Sequence, residues 1–511
     1  MAKNFGAKNY KDYIPKPVCE AYPHYNEFYE KAWEIAFDHV KFIDGMPQNP
    51  YMDEAFCATQ VWIWDSCFMS LFCKYAREIF PGVETLNNFY ETLYGEKRMA
   101  TVITPENEPD WTKAIPGEPY RIVVHIADNP PLFAWAEYEN ALMSGDKEYI
   151  KTLLYEKQYL QKHFNWFDSL TEQKKIDGVL MRTWAIKEEK GYHWEGGISG
   201  MDNTPRGRVT EHCERQRPNN PDMLWIDAIC QQALSAKMIA ELFKIIDDAE
   251  NEKVWLERYN EKKNLVNKYY WDGEDKFYYD INCKTEEFYK IMTIASYWTL
   301  TAQIASDEQA KAIAKQLFNN KTLHAKAPFL SLSKGDNDYK PQGQYWRGGV
   351  WLPTAYATVK GMENYNMLRE AHVLALELLE HMYKTYVEFE PHTIWEAYSP
   401  EEYKPATNET GRPEFSRPDF CGWSALGPIS MYIEQVLGFY SIDAFTKTVK
   451  WNRPDDIEGE IGIKNLRFGN IKTDIVANGD QCLVTSNQEY TLVINDVEYK
   501  ISAGENKINL V

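Results

Sequence analysis

The sequence predicts a mainly α-helical protein with its helices in two concentric layers and a small β module at the C-terminal end. Three observations predict this. Helical hairpins recur from Tyr25 to about Leu437, and their helices alternate between one apolar face and an apolar surface all round. Beyond residue 445 the texture changes to short alternating runs. A helix with one apolar stripe faces a single layer, whereas a helix apolar all round is enclosed.

In chain order, residues 1–24 are polar and contain proline, which predicts an irregular lead-in. Asp128-Asn129-Pro130 reads as a helix cap followed by an early proline, and Gly145 as the stop. Asp146 opens the next helix, with Ile150, Leu153, Leu154, Leu160, Phe164 and Phe167 near the helical repeat. The short connection predicts an antiparallel hairpin. Met223 to Ile246 is apolar nearly all round and should be buried on every side. A second hairpin runs from Trp351 to Val359, ends at Gly361 and returns through Leu368, Ala371, Ala375, Leu378, Leu379 and Met382. Hairpins in two layers are what an (α/α)6 barrel requires. No repeat of roughly 30–40 residues favours a helical solenoid instead. From Ile461 to Val511, runs such as Tyr490-Thr491-Leu492-Val493-Ile494 are separated by turn formers, including Asn478-Gly479-Asp480. The expected division is a helical (α/α)6 barrel over 1–445 and a β-rich module over 446–511, too short for a large core of its own and expected to pack on the barrel.

Composition excludes several classes of function. The chain carries 76 acidic against 56 basic residues, a net charge of −20, which repels phosphate backbones and argues against nucleic acid. No basic amphipathic stretch suits an anionic membrane, and no apolar run reaches the roughly 18 residues of a membrane span. The 17 Trp and 34 Tyr suit stacking on sugar rings, although large helical cores use aromatics as well. Nine scattered cysteines without a Cys-x-x-Cys pair read as reduced thiols, and the N-terminus lacks the apolar segment of an export signal. A cytoplasmic location is expected, or a periplasmic one if such a signal has been removed. The sequence leaves the oligomeric state open.

One stretch concentrates chemistry. His193 to Arg206 reads His-Trp-Glu-Gly-Gly-Ile-Ser-Gly-Met-Asp-Asn-Thr-Pro-Arg, and its glycines and proline predict a loop that presents Trp194, Glu195, Asp202 and Arg206. Four other stretches interrupt the helical texture: Trp62-Ile63-Trp64-Asp65-Ser66-Cys67-Phe68, Gln342 to Trp351, His392 to Pro400 and Asp419 to Leu426. Ser199 to Arg206 resembles the general-acid loop of glycoside hydrolase family 63, of the trehalases and of mannosylglycerate hydrolases. The Trp64-Asp65 segment, Gln344-Tyr345-Trp346-Arg347 with Trp351, Trp395-Glu396-Ala397-Tyr398-Ser399-Pro400 and Phe420-Cys421-Gly422-Trp423-Ser424 resemble four further segments of these families, in the same order. Gly349 stands where those families commonly have proline, and Cys421 is an additional residue.

The resemblance implies a glycosidase acting on a small α-linked glucoside or mannoside without a metal or organic cofactor. It implies Asp202 as general acid and Glu396 as general base. Trp64 would be a sugar platform and Asp65 a hydroxyl acceptor. Trp194, Glu195, Arg206, Gln344, Tyr345, Trp346, Arg347, Trp351, Trp395 and Trp423 are the further candidate substrate contacts. An inverting enzyme needs one protonated and one ionised carboxyl about 6.5–9.5 Å apart, with room for a water between them. An aspartate of ordinary pKa, about 3.9, serves as an acid near neutrality only if burial or a negative neighbour raises it, and Glu195 or Asp65 could be that neighbour. Glu195 is itself an alternative acid.

Two other functions are weighed against this one. A sugar epimerase on the same barrel would use paired histidines, and His125, His193, His212 and His392 form no recognisable pair. A non-catalytic sugar-binding protein would not need both carboxylates. The acidic stretch Trp271 to Asp280 has its glycine misplaced for a calcium loop and reads as a turn into a hairpin.

Overall fold

The computed structural model describes residues 9–44, 46–54, 60–93, 102–105, 113–114, 120–122, 128–176, 179–212 and 218–510. The helices that build the scaffold are α1 (Pro23–Asp38), α2 (Ile63–Cys73), α3 (Phe133–Ser144), α4 (Tyr159–Asp168), α5 (Ile226–Ile245), α6 (Ala249–Tyr269), α7 (Trp298–Thr301), α8 (Leu352–Glu363), α9 (Leu368–Glu388) and α10 (Gly427–Val436), the last wound as a π-helix. Six of them touch in a cycle. Helix α2 packs on α3, α3 on α5, α5 on α7, α7 on α8, α8 on α10, and α10 on α2. The others lie outside it, with α1 and α9 on α10, and α4 and α6 on α5.

Burial follows the amphipathic pattern. Helix α5 is buried along almost its whole length, from Ile226 to Ala236 without a break. Helix α6, its hairpin partner, buries only Trp255, Tyr259, Lys262 and Val266. Burying each large apolar side chain of α5 contributes roughly 1.5–3 kcal/mol, so the enclosed helices anchor the scaffold.

Several local expectations need correction. Gly361 does not stop a helix; α8 runs through it to Glu363. A Cβ at Gly361 would lie 2.7 Å from Leu300 and from the Thr301 amide, so the glycine lets α8 press against α7. Asp146 does cap its helix, accepting from the Tyr149 amide at 2.9 Å, and Gly145 ends α3 with φ +67°. The helix that Asp146 opens then breaks at Gln158, which is left-handed with φ +56°, before α4 begins. Asp128 caps nothing; its carboxylate instead accepts from the Trp184 and Ala185 amides. The acidic turn after Trp271 is a hairpin, Trp271–Asp272 against Phe277–Tyr278, and Lys290 neutralises Asp272 and Asp275.

At the C-terminal end two sheets form. The strands are β1 (Lys16–Cys19), β2 (Ser441–Asp443), β3 (Thr448–Trp451), β4 (Ile461–Phe468), β5 (Ile471–Asn478), β6 (Gln481–Ser486), β7 (Tyr490–Ile494), β8 (Val497–Ile501) and β9 (Gly504–Asn509). One sheet has the order β1-β4-β5-β6-β9 and the other β2-β3-β7-β8, with β3 and β7 parallel. The expected irregular lead-in therefore contains an edge strand of the C-terminal sheet, paired from Lys16 against Lys464 to Cys19 against Ile461. The β-rich part also begins before residue 446, because Ser441–Asp443 is the hairpin partner of β3. Alternation in β5 and β6 puts every second side chain inward, and Phe468 meets Tyr490 edge-on across the sheets at 5.7 Å. Trp451 fastens the sheets to the helices by donating to the Leu437 carbonyl at 2.7 Å and stacking on Phe439.

The seven cysteines among the described residues are free thiols; Cys57 and Cys213 lie outside the described residues, as does His125. Among the described residues no helix is long and apolar enough to cross a membrane.

Candidate active site

The His193–Arg206 loop contains one helical turn, Gly196–Ser199, which the glycines had argued against. Gly200 ends it at φ +84°, and a Cβ there would lie about 3.0 Å from the Trp64 ring, so only glycine combines this backbone with this approach. Trp64 thus lies directly against the loop that carries Asp202. The Ser199 hydroxyl donates to the Gly196 carbonyl at 2.9 Å and accepts from the Met201 amide at 3.2 Å. The Asn129 side chain donates to the Ile198 carbonyl at 3.2 Å.

The far end of this loop is held by Arg206. Its guanidinium is 0% exposed and donates to Asp227 at 2.6 and 2.9 Å and to Asp280 at 2.8 and 2.6 Å, over the Trp225 ring. The sequence placed Arg206 against substrate hydroxyls, and the structure corrects this. A guanidinium engaged on two sides by buried carboxylates has no edge to offer a sugar, so it ties the loop to the start of α5. Asp227, in the first turn of α5, is thereby structural.

Glu396 sits on an irregular segment pinned from both sides. Its amide donates to the Arg417 carbonyl at 2.8 Å, and Val350 and Tyr398 exchange backbone bonds at 2.9 and 3.0 Å. The Glu396 carbonyl accepts from the Trp423 indole at 2.8 Å and the Ser424 hydroxyl at 3.2 Å. Its carboxylate is 1% exposed. Oε1 accepts from the Tyr345 hydroxyl at 2.9 Å and the Arg417 guanidinium at 3.1 Å, and Oε2 from the Arg417 amide at 3.1 Å. Burial raises the Glu396 pKa, and Arg417 opposes that most strongly.

Asp65, in the first turn of α2, is brought into the same cluster. Burial raises its pKa to about 8, with the negative charges of Glu396 and Asp202 adding to the rise and Arg417 opposing it. Tyr345 is also raised, first by burial and then by Glu396 and Asp202. Asp202 and Glu396 therefore act on the same two side chains, although 194 residues separate them in sequence. Glu195 instead acts on Asp128, whose pKa burial raises to about 6.

The aromatic candidates divide. Trp64 and Trp395 are almost fully buried beside the cluster, each with an indole N–H lacking a hydrogen-bond partner among the described residues. Trp423 stands behind Glu396. Trp346 and Trp351 stack on each other at 4.2 Å and 5°, and the Trp351 indole donates to the Tyr345 carbonyl. Trp194 donates to the Asp128 carbonyl and packs edge-on to Phe167. The structure thus corrects Trp194, Trp346 and Trp351 from sugar contacts to supports, because each is at most 1% exposed. Gln344 and Arg347 are half-buried, next to Tyr345.

Sequence reasoning missed three residues. Arg417 follows Ser416, with no local pattern that pairs it with Glu396. Asn203 was read only as part of the acid loop. Glu54 is 0% exposed with both carboxylate oxygens lacking a hydrogen-bond partner among the described residues, and burial and then the charge of Asp65 push its pKa well up. Among the described residues, no group of three or more His, Cys, Asp or Glu could hold a metal.

The chain belongs to the glycoside hydrolases. More narrowly, the chain belongs to the mannosylglycerate hydrolase MGH1-like glycoside hydrolase domain family, which matches residues 59–416. It is similar to an uncharacterised protein of Borreliella burgdorferi, 25% identical over 85% of this chain and 84% of that one. It is 24% identical to the mannosyl-oligosaccharide glucosidase of Saccharomyces cerevisiae over 52% of this chain, and spans 33% of that enzyme's length. The family 63 mannosylglycerate hydrolase of Thermus thermophilus shares the fold, with a TM-score of 0.57 at 16% identity over 78% of this chain and 99% of that chain.

Proposed function

We propose that this chain hydrolyses α-linked glucosides or mannosides, in small oligosaccharides or glycosyl conjugates, with inversion at the anomeric carbon. Asp202 is the general acid, which protonates the leaving oxygen, and Glu396 is the base that takes a proton from the attacking water. The observation that carries the reading is geometric: Asn203, next to Asp202, bonds the turn on either side of Tyr345 at 2.9 and 2.8 Å, and the Tyr345 hydroxyl meets Glu396 at 2.9 Å. Arg417 and the Tyr345 hydroxyl favour the ionised form of Glu396, as a base requires. Asp65 and Trp64 hold the sugar ring between them, with Trp395, Trp423, Gln344, Arg347 and Glu195 bordering the site. The closed cycle of six helix contacts supports an (α/α)6 barrel over about 1–445, carrying the β-rich module of 446–511 with β1 and β2 recruited into it. Asp65, Asp202, Tyr345 and Glu396 lie within residues 59–416, the part that matches the family, and Arg417 follows it directly. A cytoplasmic location fits the free thiols.

The test is a panel of nitrophenyl α-glucosides and α-mannosides, trehalose, mannosylglycerate and gluco-oligosaccharides, with proton NMR of the first-released anomer. Hydrolysis with the β-anomer appearing first is expected, and Asp202→Asn and Glu396→Gln should each reduce kcat by about 10²–10⁴-fold. An active wild type beside unimpaired variants overturns the assignment.

A further inference from the structure

Asn203 follows Asp202 directly and is 1% exposed. Its side chain crosses to the turn that carries Tyr345: Nδ2 donates to the Gln344 carbonyl at 2.9 Å, and Oδ1 accepts from the Trp346 amide at 2.8 Å. Its own carbonyl accepts from the Arg347 guanidinium at 3.3 Å. One asparagine thus brackets Tyr345 on both sides along the backbone.

The turn needs such a hold. Gln344 and Tyr345 have φ of +38° and +66°, two consecutive residues with side chains in the left-handed region. Each such residue costs of order 1–3 kcal/mol and persists only where the surroundings over-determine it. On the opposite side, Thr407 accepts from the Gln344 and Tyr345 amides at 3.1 and 2.9 Å, and the Trp351 indole reaches the Tyr345 carbonyl at 3.1 Å. With the backbone so fixed, the Tyr345 hydroxyl meets Glu396 at 2.9 Å. The path from one carboxyl to the other is short: Asp202, its neighbour Asn203, the Gln344–Trp346 turn, the Tyr345 hydroxyl, and Glu396.

We propose that Asn203 is a positioning residue that sets the separation of Asp202 and Glu396 by clasping the Asp202 loop to the Tyr345 turn. The proposal rests on the acid and base roles given above. Asn203 does not touch the reacting atoms; it acts through Asp202 on one side and Tyr345 on the other. An Asp202–Glu396 gap that relaxes by even about 1 Å costs on the order of 10²-fold in rate. A wider gap also weakens any repulsion between the two carboxyls, and a weaker like charge lowers the pH at which an acid ionises.

The experiment measures kcat, KM, the pH profile of kcat/KM and thermal unfolding for wild type, Asn203→Ala, Asn203→Asp, Asp202→Asn and Glu396→Gln, on whichever glycoside of the panel the wild type cleaves. For Asn203→Ala, still folded at the assay temperature, kcat should fall about 10²-fold with a much smaller change in KM. The alkaline limb of its profile should move to lower pH, which a loss of stability alone would not produce. Asn203→Asp retains the acceptor for the Trp346 amide and, when protonated, a donor for the Gln344 carbonyl. Its activity relative to wild type should therefore recover as the pH is lowered, and it serves as the folded variant should Asn203→Ala not fold. Wild-type kcat and pH profile in both Asn203 variants, beside inactive Asp202→Asn and Glu396→Gln, overturn the clasp and leave the hydrolytic reading standing. Full activity in Asp202→Asn overturns that reading instead.

Discussion

The Tyr345 hydroxyl donates to Glu396 Oε1 at 2.9 Å, although the two residues stand on separate loops, 51 residues apart in sequence. The bond favours the ionised form of Glu396 and fixes the direction in which its carboxylate points. Tyr345→Phe removes the bond and keeps the ring that packs on Trp351. A hydrogen bond to a charged group contributes about 1.5–3 kcal/mol. We expect kcat/KM to fall roughly 10- to 10²-fold with little change in thermal stability, checked by steady-state kinetics beside a melting curve.

Arg417 gives a pH-dependent prediction. Its guanidinium and amide both donate to Glu396 and oppose the rise that burial imposes on that carboxyl. Arg417→Met removes the cation, so Glu396 should hold its proton to higher pH. The acid limb of kcat/KM should move upward by about 1–3 pH units, the range for losing a neighbouring opposite charge. A pH–rate profile from 3 to 9 reads this directly, and an unmoved acid limb would detach Arg417 from the base.

Glu54 should make the fold more sensitive to alkali. Burial and the charge of Asp65 push its pKa well above the usual carboxylate value, so between that value and its raised one the folded chain holds a proton that the unfolded chain releases. Stability from this group is complete below the unfolded pKa and falls as pH rises above it. Glu54→Gln should therefore be more stable than wild type at neutral and mildly alkaline pH, with the two converging below about pH 4. Urea unfolding at several pH values measures the difference.

Arg206 should matter to stability first and to activity through it. Arg206→Met leaves Asp227 and Asp280 buried side by side without their shared cation. Breaking a buried ion pair from one side costs about 3–5 kcal/mol. Denaturant unfolding should register that loss, while the triple variant with Asp227→Asn and Asp280→Asn should recover a large part of it.

Gly200→Ala tests the contact between the acid loop and the sugar platform. The added methyl meets the Trp64 ring at about 3.0 Å in a backbone conformation that disfavours it. Trp64 must shift, and we expect KM to rise several-fold, read from kinetics alongside tryptophan fluorescence.

Much of the protein was legible from local pattern. The one-sided and all-round apolar periodicities of α9 and α5 follow from where each helix meets water, and side-chain alternation in β5 and β6 follows from the strand repeat. The five loop words pointed to Asp65, Asp202, Tyr345 and Glu396 through their resemblance to segments of family 63 and the trehalases. Gly361 misled because a glycine within a helix carries the same letter whether it ends the helix or admits a neighbour 2.7 Å away.

Spacing along a few consecutive residues is enough to read the helical texture and the β-rich C-terminal end, while Asp202 and Glu396 were singled out through the family resemblance of their loops. Long-range packing is what pairs Arg206 with Asp227 and Asp280, sets Arg417 and Tyr345 on Glu396, joins two loops through Asn203, and adds residues 16–19 to a sheet formed some 440 residues later. Those pairings are contacts between segments far apart in the chain. Ionic and hydrogen-bonding partners are chosen by which groups burial leaves facing each other, and that depends on the packing of the whole chain.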